Sequence, residues 1–130
     1  MTKAQLIDAT LLARVAAEAA ASPRRRKNYN FHAADDFPVH RLLNAIEPNS
    51  YIMPHRHLDP LKDETILVLR GRLGFVLFDD VGAVAQSALL VPGGAACGID
   101  IPHGTFHTVF ACDPGTVMFE SKAGPFYPLT

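Results

Sequence analysis

The 130 residues carry 12 Lys and Arg against 13 Asp and Glu, a net charge of -1, and are 48% hydrophobic and 19% charged. That length suits one domain with one core, burying roughly two-thirds of its unfolded surface without disulfide staples, and the near-zero charge argues against nucleic acid or an anionic membrane as a partner. Ten prolines and nine glycines exclude a helical bundle and favour short strands joined by turns.

In residues 3–21, Ile7, Leu11 and Val15 recur four apart with Leu12, Ala16 and Ala19 alongside, which predicts an amphipathic helix ended by Ser22-Pro23. The stripe is too thin to hold a helix alone, so this segment is expected to dock on the main body or on a partner chain. A charge arrives too early for a secretion signal and no apolar run approaches a membrane span, so a cytoplasmic protein without a membrane partner is expected. Arg24-Arg25-Arg26-Lys27 reads as a solvated linker, or as arginines folded over a pocket to hold an anionic group. Cys97 and Cys112 fit neither a disulfide framework nor a metal pair and read as buried free thiols.

From Val39 the pattern changes to strands. Residues 39–46 and 51–57 flank the turn Glu47-Pro48-Asn49-Ser50, and 64–69 and 73–78 flank Arg70-Gly71-Arg72 as a hairpin. Further strands are predicted over 83–91, 98–101, 106–112 and 116–122, separated by Pro- and Gly-containing turns. Short strands at near-regular spacing, with no helices between them, predict a mainly β sandwich or barrel. Ile66 and Val68 face one way and Leu67 and Leu69 the other, so both faces of that strand need cover. A homodimer or the N-terminal helix would supply it, and the homodimer is the expectation.

Six histidines are present, and His55-Arg56-His57 places two imidazoles on one face of an extended segment. Two such rings can hold one ion at about 2.0–2.1 Å. Glu64 opens the next strand, and a neighbouring strand lies only about 4.8 Å away, so its carboxylate can converge on the histidines. A carboxylate at the head of an apolar strand is costly unless paired or metal-bound. His107 follows the turn Pro102-His103-Gly104 and sits inside the next strand. Three histidines and a glutamate suffice for one divalent transition ion (Fe, Mn, Zn, Ni or Co) that keeps open positions for water or substrate.

His55-x-His57, Glu64 and Gly71 resemble the first motif of the cupin superfamily, and Pro102-x-Gly104-x-x-His107 resembles the second. The resemblance implies a single RmlC-like jelly-roll barrel over residues 23–130 behind a short helical segment, 1–22, with metal ligands His55, His57, Glu64 and His107. The departures are a six-residue gap between His57 and Glu64, where three or four are usual, and Asn49, Ala96 and Ala111 in place of motif residues. Within the superfamily, Arg25-Arg26-Lys27-Asn28-Tyr29-Asn30-Phe31-His32, Pro54-His55-Arg56-His57, Lys62-Asp63-Glu64-Thr65 and Phe119-Glu120-x-Lys122-Ala123-Gly124-Pro125 resemble the WbuC family of cupin-fold metalloproteins. That family occurs in surface-polysaccharide (O-antigen) gene contexts, which implies a carbohydrate or sugar-nucleotide ligand.

Around the pocket of such a barrel, Glu120 shares a face with Met118 and Lys122 and is either an inward acid or base or half of an edge ion pair. Lys62 precedes Glu64, Tyr127 lies near the C-terminus, and Arg26 and Asn28 are drawn from the resemblance, an arginine fork suiting phosphate oxygens. These four are the candidate substrate contacts. His32, His40 and His103 lack a spacing argument and read as surface or supporting residues. The leading function is a small metal-dependent isomerase or epimerase acting on a carbohydrate or similar polar metabolite, with Glu120 or an unassigned residue as the proton carrier. An Fe(II) dioxygenase-type cupin and a non-enzymatic sugar- or metal-binding module are the alternatives.

Overall fold

The computed structural model describes residues 3–125. One helix, α1 (Ala9–Ala21), precedes eight described strands: β1 (Arg26–Asn30), β2 (Val39–Ile46), β3 (Glu64–Arg70), β4 (Leu73–Phe78), β5 (Val84–Leu90), β6 (Gly98–Ile101), β7 (Phe106–Ala111) and β8 (Thr116–Ala123). They form two antiparallel sheets, ordered β1-β2-β8-β3-β6 and β5-β4-β7, the mainly β class that the turn spacing predicts. Residues such as Phe75, Leu73, Ile66, Ile46 and Leu90 close the core between the sheets. The β3–β4 turn needs a left-handed residue, supplied by Gly71 at φ 79°, where a Cβ would stand 2.4 Å from Thr116 Oγ1.

Two predicted boundaries move. The helix starts at Ala9 rather than near residue 3, because Asp8 is extended and its Oδ1 accepts from Leu11 N–H at 2.9 Å, a side-chain cap that fixes the first turn. Ile7 falls before the cap and is exposed. Residues 51–57 do not form the predicted strand. Their one pairing is a bridge of His55 with His107, with backbone bonds of 3.0 and 2.9 Å, and Pro54 beside it has no N–H with which to extend a ladder. The basic stretch, read as a linker, supplies edge strand β1, in register with β2 from Arg26↔Ile46 to Asn30↔Leu42.

Alternation along the large sheet divides the labour of its two faces. Leu43, Ala45 and Val117 look outward and receive Leu11, Val15, Ala16 and Ala19 of α1. His40, Leu42, Asn44 and Ile46 of β2, Met118, Glu120 and Lys122 of β8, and Glu64, Ile66 and Val68 of β3 occupy the other face. The helix therefore covers part of the outer face, while Leu67 beyond it stays 43% exposed. Cys97 and Cys112, expected to be buried, are both exposed and unpaired, since each lies at a turn next to a strand end. No described helix is long and apolar enough to cross a membrane.

Docking of α1 rests on fully buried Leu43. Leu43→Ala is expected to cost about 2–5 kcal/mol of unfolding free energy, read from urea denaturation, with loss of helical circular dichroism ahead of the main transition.

Candidate metal centre

Three chain segments meet between the sheets. His55 and His57 come from the irregular 51–57 segment, His107 from β7, and Glu64 from the first position of β3. Ligand atoms of His55, His57 and Glu64 lie within 4.8 Å of one another. Glu64 Oε1 is 3.0 Å from His57 Nε2 and 3.3 Å from His107 Nε2, and the His55 and His107 ring centres are 4.5 Å apart. The candidate ligands read from the sequence are thus brought together, including Glu64 across its longer gap. A compact turn absorbs the extra residues: Lys62 N–H donates to Asp59 O at 3.0 Å and Leu61 N–H to Asp59 Oδ1 at 2.9 Å.

The ring tautomers are set from behind. His55 Nδ1–H donates to Met53 O at 3.0 Å and His107 Nδ1–H to Thr105 O at 2.9 Å, so each Nε2 is left to face the site. A lone pair on His107 Nε2 opposite the Glu64 carboxylate requires a cation between them, either a proton or a metal ion. Two donors at about 2.1 Å from one ion and at right angles to it stand roughly 3.0 Å apart, close to the two separations around Glu64 Oε1. The residues therefore fit a divalent ion with nitrogen and carboxylate preference.

Electrostatics follow from burial and neighbours. Burial works to raise the Glu64 carboxyl, but hydrogen bonds with His107 and His57 and the Lys122 charge outweigh it, holding the group well below the usual carboxylate range. Burial lowers His55. Burial also acts to lower His107, yet its hydrogen bond with Glu64 wins and raises it. Glu120 is 6% exposed, and burial together with the neighbouring Glu64 charge pushes its carboxyl up to about 7. Its Oε2 is 3.1 Å from Lys122 Nζ, so the ion pair forms, but inside the molecule rather than at a surface edge.

The site opens into a cleft of about 660 Å³ whose lining includes Arg26, His40, Arg56, Lys62 and Lys122. Arg26 Nη1 donates to Tyr51 O at 2.7 Å, and the Arg56 guanidinium lies 4.4 Å from the Phe106 ring centre. Lys62 Nζ donates to Ala123 O at 3.0 Å and Pro125 O at 2.5 Å, tying the loop before Glu64 to the end of β8. Asn28 lines a second, inner chamber of about 150 Å³ with Glu64, His107 and Glu120. Tyr127 lies outside the described residues. His40 is buried and stacked on buried His32, ring centres 4.0 Å apart, so of the two alternatives read for them, surface or supporting, the surface one does not hold. His103 is exposed and Nδ1–H donates to Asp63 Oδ1 at 2.8 Å. Sequence reasoning missed the inward Asn44, for which the signal was its shared face with His40, Leu42 and Ile46 on β2.

A family model described as a Domain of unknown function (DUF6016) matches residues 7–90. No curated protein matches the chain significantly. Among solved structures, KdgF from Halomonas sp. is similar at a TM-score of 0.62, with 17% identity over 82% of this chain and 84% of that one. An RmlC-like cupin protein from Desulfovibrio desulfuricans gives 0.59, with 20% identity over 95% and 96% of the two chains. An oxalate oxidase gives 0.61, with 18% identity over 82% of this chain and 54% of that one. At such identities the likeness is one of fold, and the fold is that of the cupins.

His57 is part-exposed, its side chain at 23%, and fills no core position. His57→Ala is expected to keep the native far-ultraviolet circular dichroism while stoichiometric metal uptake falls by about tenfold or more, measured by inductively coupled plasma mass spectrometry. Unchanged metal content in the variant would remove His57 from the site.

Proposed function

The chain belongs to the family described as a Domain of unknown function (DUF6016), and from its cupin fold and the groups gathered between its sheets we propose that it is a metal-dependent enzyme acting on a carbohydrate or similar polar metabolite by proton transfer. The observation that carries this reading is the pairing of a three-histidine, one-carboxylate cluster with a second buried carboxyl, Glu120, in one chamber. Residues His55, His57, Glu64 and His107 would hold the ion, which supplies Lewis acidity toward a substrate oxygen.

The chain's own groups do the remaining work. Glu120 is the proton carrier, held in place by Lys122 and sheltered from bulk water, which places a carboxyl of raised proton affinity at the substrate. Lys122 neutralises the second carboxylate so that both acids can occupy one small space. Arg26 on β1 and Lys62 at the mouth orient polar or anionic groups of the ligand, and Asn28 reaches the same ligand from the edge strand. The surface-polysaccharide context rests on the likeness of the runs around Asn28, His55, Glu64 and Glu120 to the WbuC family. A homodimer is supported by exposed Leu67, Leu89 and Phe110 on the outer faces of the two sheets.

Metal content per chain, measured on untagged protein prepared without chelators, tests the reading. Near-stoichiometric metal is expected; no metal, and no uptake on addition of Fe, Mn, Zn, Ni or Co, would overturn it. Once a turnover assay is in hand, Glu120→Gln is expected to lower kcat by about 10²–10⁴-fold with metal content unchanged.

A further inference from the structure

Among the described residues, Asn44 Oδ1 is the one buried side-chain oxygen or nitrogen that has no hydrogen-bond partner. Asn44 lies on β2 between cross-strand neighbours Asn28 on β1 and Met118 on β8. It lines the inner chamber of about 150 Å³ together with Asn28, Leu42, Val109 and Met118. Glu64, His107 and Glu120 line the same chamber. A leucine at this position would complete the apolar wall without any polar group to satisfy, whereas the amide oxygen needs a donor that the chain itself does not supply.

An amide oxygen only accepts, so the group that satisfies it must donate. The chamber already holds two carboxyls and Lys122, and Asn44 adds a neutral acceptor among apolar side chains, which suits a hydroxyl rather than a charged group. The Asn44–Met118 row is four residues along the sheet from the row of His40, Lys122 and Glu64, a separation of roughly 13 Å between backbones. Side chains close part of that span, and a chain of several carbons closes the rest. About 150 Å³ gives room for about five water-sized groups.

We infer that Asn44 is a specificity-determining residue that accepts a hydrogen bond from a distal hydroxyl of an open-chain, polyhydroxylated ligand whose other end lies at the metal-ligating residues. The inference rests on the proposed metal-dependent function and extends it: the ligand is a hydroxylated chain of several carbons whose distal end enters this chamber, not one held wholly in the outer cleft. Asn28, beside Asn44 in register, is placed to assist at the chamber's edge-strand side.

The test pairs stability with binding. Asn44→Leu is expected to raise the Tm of the ligand-free protein by roughly 2–6 °C, because it removes an unsatisfied buried acceptor. Metal-loaded wild type is then titrated calorimetrically with ribonate and with 2-hydroxypentanoate, two five-carbon acids that share the α-hydroxy-acid end and differ in the distal hydroxyls. Ribonate is expected to bind about tenfold more tightly or better, and the preference is expected to vanish in Asn44→Leu and in Asn44→Ala, which adds no bulk. Equal binding of both acids by the wild type, or a preference that survives in both variants, would overturn the inference and leave the metal-dependent reading standing. A lower Tm for Asn44→Leu would mark a tightly held water as the partner and would also overturn it. Binding of neither acid to metal-loaded wild type would overturn this inference, while the metal-dependent reading stands or falls on metal content.

Discussion

Glu64 is the first residue of β3, is 3% exposed, and heads a strand whose inward side chains are Ile66 and Val68. A carboxylate in that position cannot be left unpaired without a penalty of several kcal/mol, about 3–5 by analogy with broken buried pairs. The surrounding structure is arranged around that requirement. His57 and His107 approach Oε1 from the other sheet side, and Lys122 approaches from β8. Glu120 is itself buried, and with Glu64 held as an anion beside it, it keeps its proton more readily than an ordinary carboxyl does. Two acids in one chamber thus acquire opposite tendencies from a single burial decision, the division of labour that acid–base chemistry needs.

The same sheet makes this arrangement affordable. Part of its outer face is closed by α1 through Leu11, Val15, Ala16 and Ala19, while the inner face carries polar groups at His40, Asn44, Glu120, Lys122 and Glu64. The apolar core between the sheets, with Phe75, Leu73 and Leu90 fully buried, takes up the rest of the interior. Stability and chemistry are therefore segregated within one barrel rather than mixed.

Much of this was legible in the sequence, for reasons that can be named. β2 and β4 were readable to the residue because strong turns, Glu47-Pro48 and Arg70-Gly71, adjoin unbroken β-type runs. The histidine pair was readable because the period of two holds even where 51–57 makes one bridge and no ladder. The β1 strand was not readable: Arg26–Asn30 is polar and half exposed, and its strand character comes from hydrogen bonding to β2, a long-range effect that local propensity does not carry. The stacked His32–His40 pair was hidden for a similar reason, since the two rings meet only after Phe31 N–H bonds to Arg41 O. The helix start was missed by six residues because apolar periodicity continues past the cap at Asp8, whose side-chain bond, not the periodicity, sets the first turn.

Lys62 bridges the loop ahead of Glu64 to the carbonyls of Ala123 and Pro125, and this has a practical side. Pro125 lies in the wall of the cleft, in a segment fastened to the loop between two of the candidate metal ligands, His57 and Glu64. A purification handle or reporter fused beyond it would pull on that fastening and, if rich in histidine, would offer rival ligands to any ion at His55, His57 and Glu64. The N-terminal side is insulated, because α1 lies on the opposite face of the sheet from Glu120 and Lys122. Fusions, immobilisation and surface labels therefore belong at the helix end of this molecule.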